Sequence, residues 1–184
     1  MKMKSLAITA LICCAVALSL TVIAKRQNTT SSPQSEPREI REQRRAERQA
    51  ATERAVDSLV LSHTFQFSPQ SMQQELSGAM QMLSNPNFEV GIWDNSADIF
   101  IPYIKGMTPP YRHVMLNYTI TDLSNYLTEQ TDNGWQVSFT TSLYSANTYT
   151  FLFEISPRYG TATLTIKSPW YESVQYVGTI SKFY

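Results

Sequence analysis

Cysteine is missing from everything beyond residue 14. Cys13 and Cys14 both fall in an apolar N-terminal run, so the remainder has no disulfide, thiol nucleophile or cysteine metal site, and its stability rests on its core. There are only two histidines, His63 and His113. Neither has neighbouring His, Asp or Glu at metal-ligand spacing, so both read as surface or packing residues and no metal site is expected. With six glycines in 184 residues, there is no phosphate-cradling glycine loop and no Gly-x-Ser-x-Gly elbow. A nucleotide enzyme or a serine hydrolase lacks its usual parts. From residue 55 onward the only cations are Lys105, Arg112, Arg158, Lys167 and Lys182, against ten carboxylates. An acidic domain without a basic stripe is a poor match for nucleic acid.

What is present begins with an address. Lys2 and Lys4 precede an unbroken apolar and small-residue run from Ser5 to Ala24. Residues 1–24 therefore read as a signal peptide or membrane anchor, with the rest exported, either free in the periplasm or tethered facing it. Three fates stay open. Val22-Ile23-Ala24 offers small side chains for cleavage before Lys25. The run is also long enough to span a bilayer, with Lys25-Arg26 at the headgroups. Lipidation at Cys13 or Cys14 is disfavoured, because Ile12 or Cys13 would stand where a small residue is needed.

Residues 25–37 are a linker: Gln27 to Pro37 lacks large apolar groups and reads as a flexible spacer. Residues 38–61 contain strong helix formers with no Gly or Pro, and Ser35 or a neighbour would cap a helix starting near Pro37. The first half of that helix is polar apart from Ile40, while Ala51, Ala55, Val56, Leu59 and Val60 gather at the second half, the end expected to dock. Its arginines invite reading as a lipid- or phosphate-binding arm. The spacings Arg38/Glu42, Glu42/Arg45 and Arg44/Glu47 favour a self-compensated, solvated face instead.

Residues 62–184 form the domain, where the apolar period is two. Trp135, Val137, Phe139, Thr141 and Leu143 alternate with polar residues, and Tyr149 to Ile155, Ala162 to Ile166 and Val174 to Ile180 repeat the pattern after turn sequences. These are four meandering strands, joined at Asn133-Gly134 to an earlier one near Tyr126 to Glu129. Phe65 to Phe67, Phe88 to Trp93 and Ala97 to Tyr103 supply more, with Asp94-Asn95-Ser96 as a turn. Ser68 to Ser84 interrupts the pattern. Met72, Leu76, Met80 and Leu83 suggest a short helix or irregular loop there, packing into the core. Lys105 to His113, with Gly106, Pro109 and Pro110, reads as an exposed loop. The fold expected is mainly β: eight or nine short strands in an antiparallel meander closed into a barrel-like or lipocalin-like sheet, preceded by one N-terminal helix.

Asn87-Phe88 leading into Val90 to Trp93, Ser96-Ala97-Asp98-Ile99 to Pro102, Trp135 to Phe139, Ile155-Ser156-Pro157 through Gly160 to Thr165, and Tyr176 to Ile180 resemble an exported family of Bacteroidetes-type bacteria. This is domain of unknown function 4251, and the resemblance runs from about Arg45 to the C-terminus. It implies a mainly β, barrel-like or lipocalin-like fold behind a leader peptide, and it implies no activity, cofactor or catalytic residue. The chain departs from the family before the strand near Val114 to Ile120, where Gly106 and prolines replace a glycine-rich stretch.

Asp94 and Asp98 form a carboxylate pair, but beside a turn, where aspartate serves backbone hydrogen bonding. No catalytic residue or cofactor is proposed. The aromatics are more suggestive. Trp93, Phe100 and Tyr103 in one hairpin, with Tyr111 and Trp170 near loops, are the candidate ligand-binding residues, beside the ordinary reading as strand packing. Trp93 and Phe100 fall out of phase with Ile92, Ile99 and Ile101, which puts them on an outer face. The resulting expectation is a monomeric, non-catalytic cell-envelope domain that binds a small apolar or glycan-type ligand. The alternatives are a structural partner in an envelope protein complex and an envelope hydrolase with an unrecognised site.

Overall fold

A computed structural model describes residues 38–75, 78–106, 110–143 and 147–183. The leader, the linker, Leu76, Pro109 and the turn at Ser145-Ala146 lie outside these residues. Among the described residues no helix is long and apolar enough to cross a membrane.

One helix, α1 (Arg38–Leu61), precedes ten strands: β1 (Thr64–Gln74), β2 (Gln81–Met82), β3 (Glu89–Trp93), β4 (Ser96–Lys105), β5 (Arg112–Ile120), β6 (Ser124–Thr131), β7 (Gly134–Leu143), β8 (Asn147–Ser156), β9 (Thr161–Ser168) and β10 (Tyr171–Ser181). They form one sheet in the order β5-β4-β3-β1-β10-β9-β8-β7-β6, with β2 also on β1. Every pairing is antiparallel. The protein is thus mainly β with one N-terminal helix, and five successive strands, β6 to β10, make the expected meander.

The expected closure takes a different form. β5 and β6 end the strand order and do not pair, although only residues 121–123 separate them. In a row of nine antiparallel strands the first and last run the same way, so β6 cannot fold back on β5 as a hairpin. Four residue steps also reach at most about 14 Å. The chain therefore continues from β5 through a corner into β6. The result is one bent strand whose first half pairs with β4 and second half with β7, and the sheet is curled without being closed. The β3–β4 turn pins the corner: Leu123 N donates to Asn95 O at 2.9 Å, and Leu123 is buried.

The curled sheet is filled. Phe65 and Phe67 of β1 meet Phe153 of β8 edge-on at 5.6 and 5.7 Å, and Phe139 stacks on Phe151 at 4.9 Å. Tyr103 of β4 meets Tyr149 of β8 at 5.9 Å although the two strands stand five places apart in the sheet. The Tyr176 hydroxyl donates to Pro102 O at 2.7 Å, tying β10 to β4 across the interior. Each fully buried large side chain contributes about 1.5–3 kcal/mol. Packed aromatics line the inner face of the curved sheet.

Ser68 to Gln74 is another correction, since these residues continue β1 rather than forming a helix or loop. A bulge between Pro69 and Ser71 lets the strand accept a proline opposite Gly178, and Met72 returns to the core. In α1 only the last turns are buried. Val56 and Val60 enter the core with Leu59 packed against it, whereas Ala51 and Ala55 stay exposed.

Candidate functional site

A concavity lies where α1 meets the tips of two hairpins. The Asn133-Gly134 signal places the β6–β7 turn, with Thr131 opposite Gly134. Gly134 has φ +139°, and a Cβ there would come within 2.1 Å of Ile155 O, so only glycine lets β7 start this close to β8. That approach seats Trp135 between Gln130 of β6 and Ile155 of β8. Its indole Nε1–H donates to Asp57 Oδ1 of α1 at 2.8 Å. Asp57 in turn is held by Val56 and Val60, which anchor that end of the helix.

Trp135 forms a wall shared by two clefts. One, of about 360 Å³, adds Gln136 and Glu154; the other, of about 400 Å³, adds Glu53, Asp57, Asp132 and Arg158. Thr131, Asn133 and Ser156 line both. The Arg158 guanidinium lies 5.6 Å from the ring centre of Tyr159, which is exposed at the rim. The surroundings of Trp135 are thus carboxylates, amides and hydroxyls beside an aromatic surface, a set suited to hydroxyl-rich ligands by hydrogen bonding and stacking. Among the described residues, no group of three or more His, Cys, Asp or Glu is placed to hold a metal ion.

The five aromatics picked from the sequence are not brought together. Trp93 lies on the outer face with its ring edge-on to Phe183 at 5.7 Å. Phe183 covers Gly91, where a Cβ would come within 2.8 Å of its ring. Phe100 shares that outer face, 5.8 Å from Phe88. Tyr103 does not: it has the parity of Ile99 and Ile101 and is fully buried, which removes it from any surface platform. Tyr111 borders a cavity of about 140 Å³ with Gln74 and His113, and Trp170 stands exposed between β9 and β10.

The remaining candidates have structural partners. His63 rests against the Tyr126 ring at 4.7 Å. Asp94 takes a left-handed turn conformation, φ 51°, and Asp98 accepts from the Thr119 hydroxyl at 3.0 Å. Burial pushes the phenols of Tyr103, Tyr126 and Tyr176 above their ordinary range, and at Tyr103 the neighbouring Tyr149 and Tyr171 add to the effect. The Tyr103 hydroxyl is buried without a hydrogen-bond partner.

Sequence reasoning put Trp135 on a buried strand face and did not single out its cleft. The turn signal at Asn133-Gly134 marked the spot. Asp57, however, lies 78 residues away and on a helix, and no local pattern pairs it with Trp135.

The fold and the family agree with known proteins. The crystal structure of a DUF4251 family protein from Bacteroides eggerthii DSM 20697 is similar with a TM-score of 0.56 at 13% identity, covering 73% of this chain and 91% of that one. At that identity the likeness speaks for the fold alone. No curated protein matches the chain. The family model described as Domain of unknown function (DUF4251) matches residues 47–180. That span holds the second half of α1 and the strands through nearly all of β10, and the chain therefore belongs to the DUF4251 family.

Proposed function

We propose that the chain is a non-catalytic, exported binding domain of the cell envelope, and that it holds a glycan-type ligand against Trp135. The observation that carries this is the placement of Trp135: its N–H is committed to Asp57, so the indole is fixed in orientation, and it lines two clefts rich in amide, hydroxyl and carboxylate groups. An aromatic surface ringed by such groups matches the alternating apolar and hydroxyl faces of a sugar.

Calorimetric titration with a panel of neutral and amino-sugar oligosaccharides tests the reading. At least one should bind, and Trp135→Phe and Gln136→Ala should each weaken it at least about tenfold while the fold persists. Absence of binding across the panel, or binding indifferent to both substitutions, overturns it.

A second reading, a structural partner in an envelope protein complex, draws on the outer face, where Trp93, Phe183 and Met115 remain partly exposed. Crosslinking in the source bacterium separates the two, since a structural partner traps a reproducible protein neighbour that Trp93→Ala with Phe100→Ala loses.

A further inference from the structure

We propose that the free edge of β5 joins the same edge of a second copy of this chain, making a two-fold symmetric dimer through one antiparallel strand pair. Among the described residues β5 pairs with β4 alone and β6 with β7 alone, so each end of the strand order leaves a backbone edge unused. The two edges are not alike. β6 is interrupted by a bulge between Ser124 and Leu127, where Asn125 takes φ 54°, and it carries Glu129. Bulges and charges are the usual guards of an edge. β5 pairs with β4 along its whole length without a bulge, and it holds no proline, lysine or carboxylate. Alternate residues of such a strand turn their N–H and C=O groups away from the sheet, the template on which another strand adds.

The side chains of β5 show which strand fits. Its inward residues Val114, Tyr118 and Ile120 are only partly buried, whereas Ile99, Ile101 and Tyr103 of the neighbouring β4 are fully buried. Across the seam, Thr141 to Leu143 of β7 lie beyond the last residue paired with β6, and a cleft of about 400 Å³ opens between them and Tyr118, Ile120 and Asp122. An added strand therefore finds room and an apolar row to cover. A second β5 meets both demands. Antiparallel pairing of two copies over their full length centres on Leu116, which keeps inward residues facing inward. Val114 then faces the partner's Tyr118, and Tyr118 the partner's Val114, a favourable aromatic and β-branched cross-strand pair. Ile120 faces the partner's Arg112, whose long side chain comes within reach of Asp122. Arg112 is the one residue of β5 with a permanent charge, so no like charges stand opposed. The monomer expected from the sequence gives way to a pair whose two-fold axis uses both β5 edges and stops there. The inference does not depend on a ligand at Trp135.

The test is sedimentation velocity over a concentration series, with the chain from residue 27 onward, which retains the whole compact unit Glu39–Tyr184. The parent should pass from monomer to dimer as concentration rises, and the β5 amides should gain protection from hydrogen exchange in step. Met115 and Asn117 are exposed, and in this register each stands opposite the other in the partner copy. Met115→Lys with Asn117→Lys, and separately Met115→Glu with Asn117→Glu, should each weaken dimerisation about tenfold or more with circular dichroism unchanged. Mixing the two variants should restore a dimer that holds one copy of each. A dimer that both variants leave intact, or a mixture that does not associate, overturns the proposal. So does a parent that stays monomeric, and protection of its β5 amides by a peptide from another protein would assign the edge to that partner instead.

Discussion

The indole N–H of Trp135 on β7 donates to the carboxylate of Asp57 on α1 at 2.8 Å, joining residues 78 positions apart. This bond reinforces the burial of Val56 and Val60 in fastening the helix to the sheet, and it fixes the aromatic wall of both clefts. Its loss should be felt in stability and in site geometry together. Asp57→Ala removes a charged acceptor from a partly buried donor and should cost about 1–3 kcal/mol. Asp57→Asn keeps an acceptor and should cost less. Urea unfolding measures both, and equal midpoints for all three proteins would show that the bond does not fasten the helix.

The strand pattern was legible wherever period-two alternation ran unbroken, as from Trp135 to Leu143 and from Tyr149 to Ile155. It failed where geometry reset the period. The bulge in β1 shifts the inward series from Phe65 and Phe67 to Met72 and Gln74, so a continuing strand resembled a Met-rich loop. The bent strand was hidden for another reason: residues 121–123 form a link of hairpin length, and only the far partners β4 and β7 show that β6 continues β5. Parity would have placed Tyr103 inside with Ile99 and Ile101. The site was legible only in its local half, the turn at Asn133-Gly134, because Asp57 and Glu53 reach it from a distant helix.

Stability should fall at alkaline pH. The unfolded phenols release their protons near pH 10.0, while Tyr103, Tyr126 and Tyr176 hold theirs to higher pH in the fold. Above about pH 10 the unfolded state binds fewer protons than the native one, so stability declines as pH rises toward the folded values. For each such phenol the decline runs from its unfolded pKa up to its raised folded one. Tyr103→Phe removes a buried hydroxyl that has no hydrogen-bond partner. It should be neutral or stabilising at pH 8 and should flatten the alkaline decline. Denaturant midpoints between about pH 8 and 11.5 decide this, and a parallel loss in variant and parent would show that Tyr103 is not the group.

Gly134→Ala should destabilise by about 2 kcal/mol or more, because the new Cβ would meet Ile155 O at 2.1 Å in a backbone conformation that L side chains rarely adopt. β7 and β8 must separate to admit it, which would displace Trp135 as well. Thermal unfolding reads the loss, and a change within about 0.5 kcal/mol would mean that the hairpin approaches less closely.

The two aromatic sets should behave differently when truncated. Phe153→Ala empties the centre of the Phe65, Phe67 and Phe139 cluster and should cost about 3–5 kcal/mol. Trp93→Ala with Phe100→Ala strips an outer face and should leave the fold intact at a smaller cost. Comparable losses in the two variants would make the outer pair part of the core.

The central claim is that Trp135, and neither Trp93 nor Trp170, meets the ligand. The chain has three tryptophans, so a nitrogen-15 spectrum carries three indole N–H signals, assignable from single Trp→Phe variants. On titration with the best-binding oligosaccharide, the Trp135 signal should move while those of Trp93 and Trp170 stay in place. Movement of the Trp93 or Trp170 signal with Trp135 unchanged would contradict the account and shift the binding site to the outer face or to the β9–β10 turn.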